Sequence, residues 1–576
     1  MMTAITKYIR QDISGILILL TGLMIILLTA PKSLPGQEVE SREVIVEAAY
    51  QPEVPDAEKI HVTPRLPEFT PDRPEGELPL LGKKPETPFR FGDIKPARIE
   101  SERAETLYRN FLRAGVGNYA TALVDFYAGS LRSKKSSVDM RISHRSSSGK
   151  MKEVAFPGNS RSKIGLTGSR YFSRTTLSGY AGYDRKTVHY YGFSPDSLPE
   201  LDLKKSDYRQ VFNQVSAGIK LSNNKMSSYR PDFATQFDYN LLTDRFSTRE
   251  HKLHYRGSVS SSVQLLPFSE EEHIDFNLDA PVYINSDSLT SSTTSGIVRM
   301  NPVYRFSFNQ YSFKIGADVP VRFDSVTHTH VFPDIEAQVK VAGLKLVTFA
   351  GIGGKVVRSG YNRLRNENPF VSPIVPLGFT VYKSMQYGGL KGYIGRYFDY
   401  RLQFTNFTVD RMPFFVADTT APWGRPLYNQ FTVVYDRVKL TRLAGEFGWR
   451  MSGLLQLNLM VQYDSWFLDE LDYPWHKPRL NIRFEGDYRY SEQIDLSAAL
   501  YVRGAMYAPE VTAGSDVTNA VKLNPAVDLR VAGSYHFTPE LSAFLEINNL
   551  LGQRYELWNH YPGYRLNAVA GVGYSF

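Results

Sequence analysis

Residues 480–489 read Leu-Asn-Ile-Arg-Phe-Glu-Gly-Asp-Tyr-Arg, in which apolar residues or glycine alternate with charged or amide residues. Successive side chains of a β-strand point to opposite faces, so this stretch predicts a strand with one apolar and one polar face. The same alternation recurs over residues 443–451, 455–464, 494–503 and 527–536. These runs exceed the usual ~5–6 residues of soluble strands. Their length and their apolar-aromatic face predict strands that cross a bilayer.

Composition excludes a bundle of membrane helices. The chain has 576 residues, 42% hydrophobic and 13% aromatic, and its mean hydropathy is −0.30. Each membrane helix needs about 20 consecutive apolar residues, and only the run Gly15–Thr29 approaches that length. The chain contains no cysteine, which excludes a thiol nucleophile, a cysteine metal site and a disulfide scaffold.

The chain divides into three regions. Lys7 and Arg10 precede the apolar run, which predicts a signal peptide at residues 1–36, with an uncleaved anchor as the alternative. Residues 37–104 are rich in proline and acidic residues and predict a disordered periplasmic arm. Residues 105–576 keep the period of two and predict the barrel. Their basic excess is small and dispersed, so no nucleic-acid partner is expected.

The fold class predicted is all-β, a transmembrane antiparallel β-barrel of about 22 strands, with 20 as the next choice. Bacterial barrels of this kind have an even strand number. Three turn-rich stretches, Ser286–Ser295, Val357–Ser372 and Ala508–Asn519, are predicted to be loops on the outer side.

The alternation also assigns the two faces of each strand. Leu457 and Leu496 are predicted to face lipid, and Asn458 and Ser497 to face the lumen.

The carboxyl-terminal forty residues carry a family resemblance. Asn549-Leu-Leu-Gly552, Tyr555, Pro562-Gly563, Arg565 and Gly571-Val-Gly-Tyr-Ser-Phe576 resemble the closing strands of TonB-dependent outer-membrane receptors. A weaker likeness comes from Tyr387-Gly-Gly-Leu-Lys-Gly392 and Met412-Pro-Phe-Phe415.

The resemblance implies a barrel-assembly signal at Val572, Tyr574 and Phe576. It also implies the outer membrane of a Gram-negative bacterium as the location, with outer-membrane lipids and the barrel-assembly machinery as partners.

The amino-terminal part departs from that family. Its members carry a folded plug domain of well over a hundred residues, whereas only the Pro-rich arm precedes this barrel. One stretch of the arm resembles the family's short energy-coupling box, with Glu43, Val44, Ile45, Val46 and Ala48 as its residues. The chain is therefore predicted to be a plugless relative, and TonB-driven import does not follow from the resemblance alone.

No enzyme activity and no cofactor are predicted. The first functional hypothesis is passage of a solute or polymer across the outer membrane. The alternative is a structural subunit of a multiprotein outer-membrane complex.

A minor alternative is a lipid hydrolase. His144, Ser146 and Gly149 resemble the His-x-Ser-Asn-Gly motif of outer-membrane phospholipases. His144 and Ser146 are two apart on a predicted strand and would share a face, but serine and glycine between two strands more often mark a turn, which is the favoured interpretation. His328 and His330 could offer two imidazoles to a metal, and a loop is favoured there too.

An empty barrel of this size poses a barrier problem. Barrels of about 16–18 strands already leave an aqueous channel, so 22 strands without a plug would leave a large hole. Inward-folded loops, the acidic arm or a lumen-filling or periplasmic protein partner are the candidates to fill it. The arm could pair with lumen positions such as Arg442, Arg479 and Arg483.

Overall fold

The computed structural model of the protein describes residues 108–130, 133–193, 204–223, 231–341, 345–419, 429–451, 453–511 and 518–576. Within these residues, 22 antiparallel strands form a closed barrel, which confirms the predicted fold class and strand number. The ring closes because the strand Asn110–Gly117 pairs with Asn567–Ser575. The predicted signal peptide, arm and energy-coupling residues lie outside the described residues.

The elements in chain order are β1 (Asn110–Gly117), β2 (Thr121–Gly129), β3 (Ser136–Ser147), β4 (Asn159–Tyr171), β5 (Thr175–His189), β6 (Arg209–Asn223), β7 (Asp232–Asp244), β8 (Arg249–Ser262), β9 (Glu271–Ser286), β10 (Thr293–Phe308), β11 (Tyr311–Phe323), β12 (Thr327–Thr329), β13 (Phe332–Val341), β14 (Leu346–Ser359), helix α1 (Tyr361–Glu367), β15 (Gly378–Ile394), β16 (Phe398–Ala417), β17 (Phe431–Met451), β18 (Leu455–Leu468), β19 (Leu480–Arg489), β20 (Ile494–Arg503), β21 (Met506–Val511), β22 (Thr518–Leu523), β23 (Ala526–His536), β24 (Leu541–Asn548), β25 (Glu556–Trp558), β26 (Tyr561–Pro562) and β27 (Asn567–Ser575). The short strand β12 pairs only with β11. The pairs β21–β22 and β25–β26 are hairpins within loops, so these five strands are not counted in the ring.

Cross-strand pairs confirm the two faces that the sequence predicts. Leu457 lies opposite Gly486, whereas Asn458 lies opposite Glu485. On the next strand, Leu496 lies opposite Tyr488 and Ser497 opposite Asp487. Residues directly opposite in a ladder share a face. The apolar face therefore continues without interruption across β18, β19 and β20.

An aromatic girdle surrounds the end of the barrel at which the chain terminates. Tyr574 stacks on Phe576 with ring centroids 5.6 Å apart, and Tyr535 meets Phe537 edge-on at 4.9 Å. Other pairs at the same end are Tyr488 with Tyr490 and Phe398 with Phe447. Aromatic rings concentrate at membrane–water interfaces, so the girdle marks one boundary of the apolar band.

The two ends of the barrel carry connections of different length. At the terminal end the connections range from residues 309–310 to residues 224–231, whereas the opposite end carries loops as long as residues 504–525. Long loops lie on the outer side of bacterial barrels, which makes this the outer end. The three predicted outer loops lie at this end, as far as the structure describes them, although Ser286, Thr293–Ser295 and Val357–Ser359 belong to wall strands. Tyr361–Glu367 forms α1, and the hairpin β21–β22 lies within the third loop.

Several strands are longer than the sequence pattern suggests. The alternating runs predict nine to thirteen residues per strand, yet β16 has 20 and β17 has 21. Their outer parts extend past the strands beside them. No helix among the described residues is long and apolar enough to cross a bilayer.

Candidate functional site: the loop cap and the lumen

Loops at the outer end meet one another across the barrel mouth. They are numbered here in chain order as L1 (118–120), L2 (148–158), L3 (190–208), L4 (245–248), L5 (287–292), L6 (324–331), L7 (360–377), L8 (418–430), L9 (469–479), L10 (504–525) and L11 (549–566). The described residues of L1–L4 and L7–L11, with the outer part of the hairpin β16–β17, are called the cap below.

The cap is built around Tyr561 in L11, whose side chain is fully buried. Its ring stacks on Phe370 of L7 with centroids 3.7 Å apart and lies 4.7 Å from the ring of Tyr191 in L3. Its hydroxyl donates to the backbone carbonyl of Asn429 in L8. Burial holds the pKa of Tyr561 well above its ordinary value, so the hydroxyl keeps the proton that this bond needs. One side chain thus joins three other loops.

Gly192 leaves room for the Tyr561 ring, because it has no side chain. A Cβ atom at Gly192 would lie 2.1 Å from the Tyr561 ring, closer than any van der Waals contact allows. The ring therefore packs directly on the backbone of L3, and a larger residue here would push L3 and L11 apart.

Hydrogen bonds connect loops from opposite sides of the ring. L3 follows the fifth strand of the ring and L8 precedes the sixteenth. Asn429 of L8 nevertheless donates to the Tyr190 carbonyl of L3 at 2.8 Å. The Tyr190 hydroxyl in turn donates to the Val371 carbonyl of L7 at 3.1 Å. Bonds between such distant strands are possible only across the mouth, so the cap covers the lumen.

The outer part of the hairpin β16–β17 is buried on both faces. Phe414 and Phe415 are adjacent in sequence, and both are fully buried. Phe414 packs with Trp475 of L9, whereas Phe415 belongs to the same apolar cluster as Tyr561. Residues of a strand alternate between faces, so the hairpin lies between two groups of loops.

Helix α1 anchors L7 to the inner wall. The hydroxyl of Tyr361 donates to Asp244 at the end of β7, at 2.9 Å. The Arg365 guanidinium donates to the Gln214 amide oxygen of β6 and lies 5.2 Å from the Phe212 ring centroid. Burial lowers the pKa of Arg365, but a guanidinium whose ordinary pKa exceeds about 12 stays charged.

L9 connects the hairpin to L11 through His476. Its Nδ1 lies 3.0 Å from the Phe415 carbonyl, which can only accept a hydrogen bond. The backbone N–H of Asn559, which can only donate, points to Nε2 at 3.4 Å. These partners require the neutral ring, and burial lowers the pKa of His476 to about 3.

Below the cap, the lumen wall is charged and largely paired. Three arginines, Arg113, Arg145 and Arg530, lie 3.2–3.5 Å from the buried carboxylate of Glu546. Arg442 pairs with Asp464 at 2.7 Å. Such a wall suits polar solutes.

The arginines predicted to meet the acidic arm are partly engaged within the barrel. Besides the Arg442 pair, Arg483 lies 2.5 Å from Glu485. Arg479 forms no ion pair with any described residue.

The predicted assembly-signal residues lie on the outward face of the closing strand. Val572 is opposite Ala114 and Tyr574 is opposite Leu112. The exposed fractions of Val572 and Tyr574 are 56% and 48%. Their role in assembly stays a prediction.

His144 and Ser146 lie within β3, as their spacing on a predicted strand implies, and Ser148 and Gly149 follow in the connection L2. His144 Nε2 is 3.2 Å from the Ser146 hydroxyl, and Nδ1 is 2.8 Å from that of Ser162. Cross-strand pairing with Val124 and Ala122 places His144 and Ser146 on the lipid-facing side.

The two histidines of the outer segment do not form a metal site with other described side chains. His328 lies in β12, and His330 stacks on Phe332 with centroids 5.7 Å apart. No group of three or more metal-ligating side chains occurs among the described residues.

The barrel has the fold of TonB-dependent siderophore receptors, which confirms the resemblance at the level of fold. It matches FpvA of Pseudomonas aeruginosa, in a complex with a heterologous pyoverdine, at 9% identity over 81% of this chain and 72% of that chain, with a TM-score of 0.61. The ferric-catecholate import receptor Fiu of E. coli matches at 7% identity over 83% of both chains, with a TM-score of 0.60. The siderophore receptor PirA of Acinetobacter baumannii matches at 11% identity over 81% and 80%, with a TM-score of 0.60.

Similarity is confined to structure. The sequence matches no protein-family model, and no curated protein is similar to it in sequence. The closed barrel with its apolar outer face places the protein in the outer membrane of a Gram-negative bacterium.

Proposed function

We propose that the protein is a gated channel that passes a polar solute or polymer across the outer membrane when its cap opens. The observation that carries the proposal is the cap, which joins loops from opposite sides of the ring through Tyr190, Asn429 and Tyr561. The charged lumen wall can accept a polar solute, and a cap of loops can separate while the wall stays paired. The import of iron complexes by the structural neighbours is not part of the proposal.

Conductance in planar bilayers tests the proposal. Wild-type protein is expected to be closed most of the time, and Tyr561→Ala is expected to conduct far more. Tyr490→Ala, at the terminal end and 64% exposed, is the matched control and should behave like the wild type. Cells carrying Tyr561→Ala should become sensitive to large antibiotics. A wild-type barrel that is always open, or a Tyr561→Ala barrel as closed as the wild type, would contradict gating and favour a structural subunit.

A lipid hydrolase is the second candidate, because the Ser146 hydroxyl and the His144 ring form a nucleophile–base pair with Ser162 on the far nitrogen. The site faces lipid near the outer end of β3. Release of fatty acid from phospholipid vesicles by the wild type, and its loss in Ser146→Ala, would support this candidate. Equal rates for the two proteins would exclude Ser146 as a nucleophile.

A further inference from the structure

A cavity of about 510 Å³ lies between the cap and the wall strands β4 and β5. Its lining comes from L2, L3, L7, L11 and the outer ends of those two strands, and includes Arg161, Lys186 and Glu367. We call it the subcap cavity.

The charges beside the subcap cavity do not cancel. The Arg161 guanidinium is neutralised by Asp184, with N–O distances of 2.5 to 3.2 Å. The Glu367 carboxylate is neutralised by Lys477 of L9. Lys186, in contrast, forms no hydrogen bond or ion pair with any described residue.

A second cation without a carboxylate partner, Arg365, lies next to the cross-strand neighbour of Lys186. Phe212 is the cross-strand neighbour of Lys186, and the guanidinium of Arg365 lies over the Phe212 ring. Arg365 has only amide oxygens as partners, those of Gln214 and Asn362. It is 3% exposed, so water does not compensate its charge. Cations left without partners in a partly enclosed space favour an anion there.

The occupant is a solute rather than a lipid. Lys186 shares a face with Asp184, whose partner is Arg161 of β4. Arg161 lies opposite Arg145 of β3, an arginine on the lumen side that pairs with Glu546. The lysine therefore reaches the cavity from the lumen and not from the bilayer.

We propose that the subcap cavity binds an oxyanion, a carboxylate or phosphate group of a small solute, with Lys186 as its main charge partner. This inference rests on the proposed function in one respect: it assumes that the bound solute is one that passes through the channel. Binding itself does not depend on that claim, because an anion can be bound whether or not the cap opens.

Titration calorimetry on the full-length protein in detergent tests the site, with inorganic phosphate and citrate as probes and glycerol as a neutral control. At least one anion is expected to bind saturably, and Lys186→Met should weaken that binding at least tenfold. Lys163→Met is the matched control: Lys163 is paired with Asp184 in the ladder but does not line the cavity. It should change affinity less than threefold, and Lys186→Arg should retain binding. Heat-modifiable migration on gels shows that each variant is folded.

Three results would overturn the site: no saturable binding of either anion below about 10 mM, an unchanged affinity in folded Lys186→Met, or equal losses in Lys186→Met and Lys163→Met. Conductance distinguishes this inference from the proposed function. Lys186-dependent binding by a barrel that never gates would retain the site and refute the channel, whereas gating without anion binding would do the reverse.

Discussion

The barrel wall and the cap are held together in different ways. Every wall strand is hydrogen-bonded to two neighbours, and the ladder between β16 and β17 alone runs from Phe398 to Ala417. The cap has few backbone bonds between its parts, such as those that join L7 to the outer end of β17: Phe431 to Phe370 at 3.1 Å and Ser372 to Phe431 at 2.7 Å. It depends instead on buried aromatic side chains around Tyr561. Regions with few backbone ladders open at lower free energy than the rest of a fold, so the cap can separate while the wall stays intact.

The largest effect is expected from damage to the wall at its closing strand. Deletion of Phe576, or Tyr574→Ser with Phe576→Ser, removes one or both of the stacked outward aromatic rings at the terminal end of the barrel. Little folded, heat-modifiable protein should reach the outer membrane. Ser575→Ala, which leaves the outward aromatic face unchanged, is the control. Normal levels of the aromatic variants would show that the carboxyl terminus does not carry an assembly signal.

The cap is tested by removing its central ring. Tyr561→Ala should cost about 3–5 kcal/mol of cap stability, the range for large buried aromatic residues, and so open the cap at least about a hundredfold more often. Hydrogen exchange followed by mass spectrometry should show faster exchange in peptides containing residues 190–192 and 429–431. Peptides from β19 and β20 should exchange as in the wild type. Uniformly faster exchange would mean that cap and wall unfold as one unit.

The two faces of the wall differ in their tolerance of charge. Leu457→Arg or Leu496→Arg, toward lipid, should cost up to about 2–4 kcal/mol near the membrane midplane. Asn458→Arg and Ser497→Arg are the matched controls on the polar face. Denaturant unfolding in lipid vesicles measures the difference. Equal stability of both pairs would refute the face assignment, because a one-residue slip of register exchanges the faces.

Sequence alone predicts the wall well and the cap poorly, for a physical reason. The wall has a period of two, so Leu457, Asn458 and their neighbours reveal their faces locally. The cap has no period: Tyr191 and Pro562 are hydrogen-bonded at 2.9 Å although 371 positions separate them. Occlusion by loops was among the predicted alternatives, but the residues that achieve it were not identified.

One sequence signal for the cap does exist. Loops exposed to water are usually polar, whereas L3, L7 and L11 contain Tyr190-Tyr191, Phe370-Val371 and Trp558. Adjacent apolar residues in connections between membrane strands indicate loops that pack on one another. The pairing of particular loops still requires the closed ring, since only the barrel brings L3 opposite L8.

The smallest expected effect is a pH dependence confined to the cap. His476 has a pKa of about 3 in the closed cap, against about 6.5 for an exposed histidine. Above pH 6.5 the ring is neutral in both states, and protonation does not affect the cap. Below pH 6.5, His476 binds a proton in the open cap but not in the closed cap, so acid favours opening.

The size of this effect follows from the lowered pKa. Between pH 7.5 and 5.5 the linkage amounts to about 1.4 kcal/mol, or about tenfold in the open fraction. Conductance recorded at the two pH values measures it. His476→Asn, which keeps one donor and one acceptor but does not titrate, should lose most of the dependence. An equally steep response in His476→Asn would assign the pH dependence to another group. An effect of acid on the wall as well would mean that the two regions are not independent.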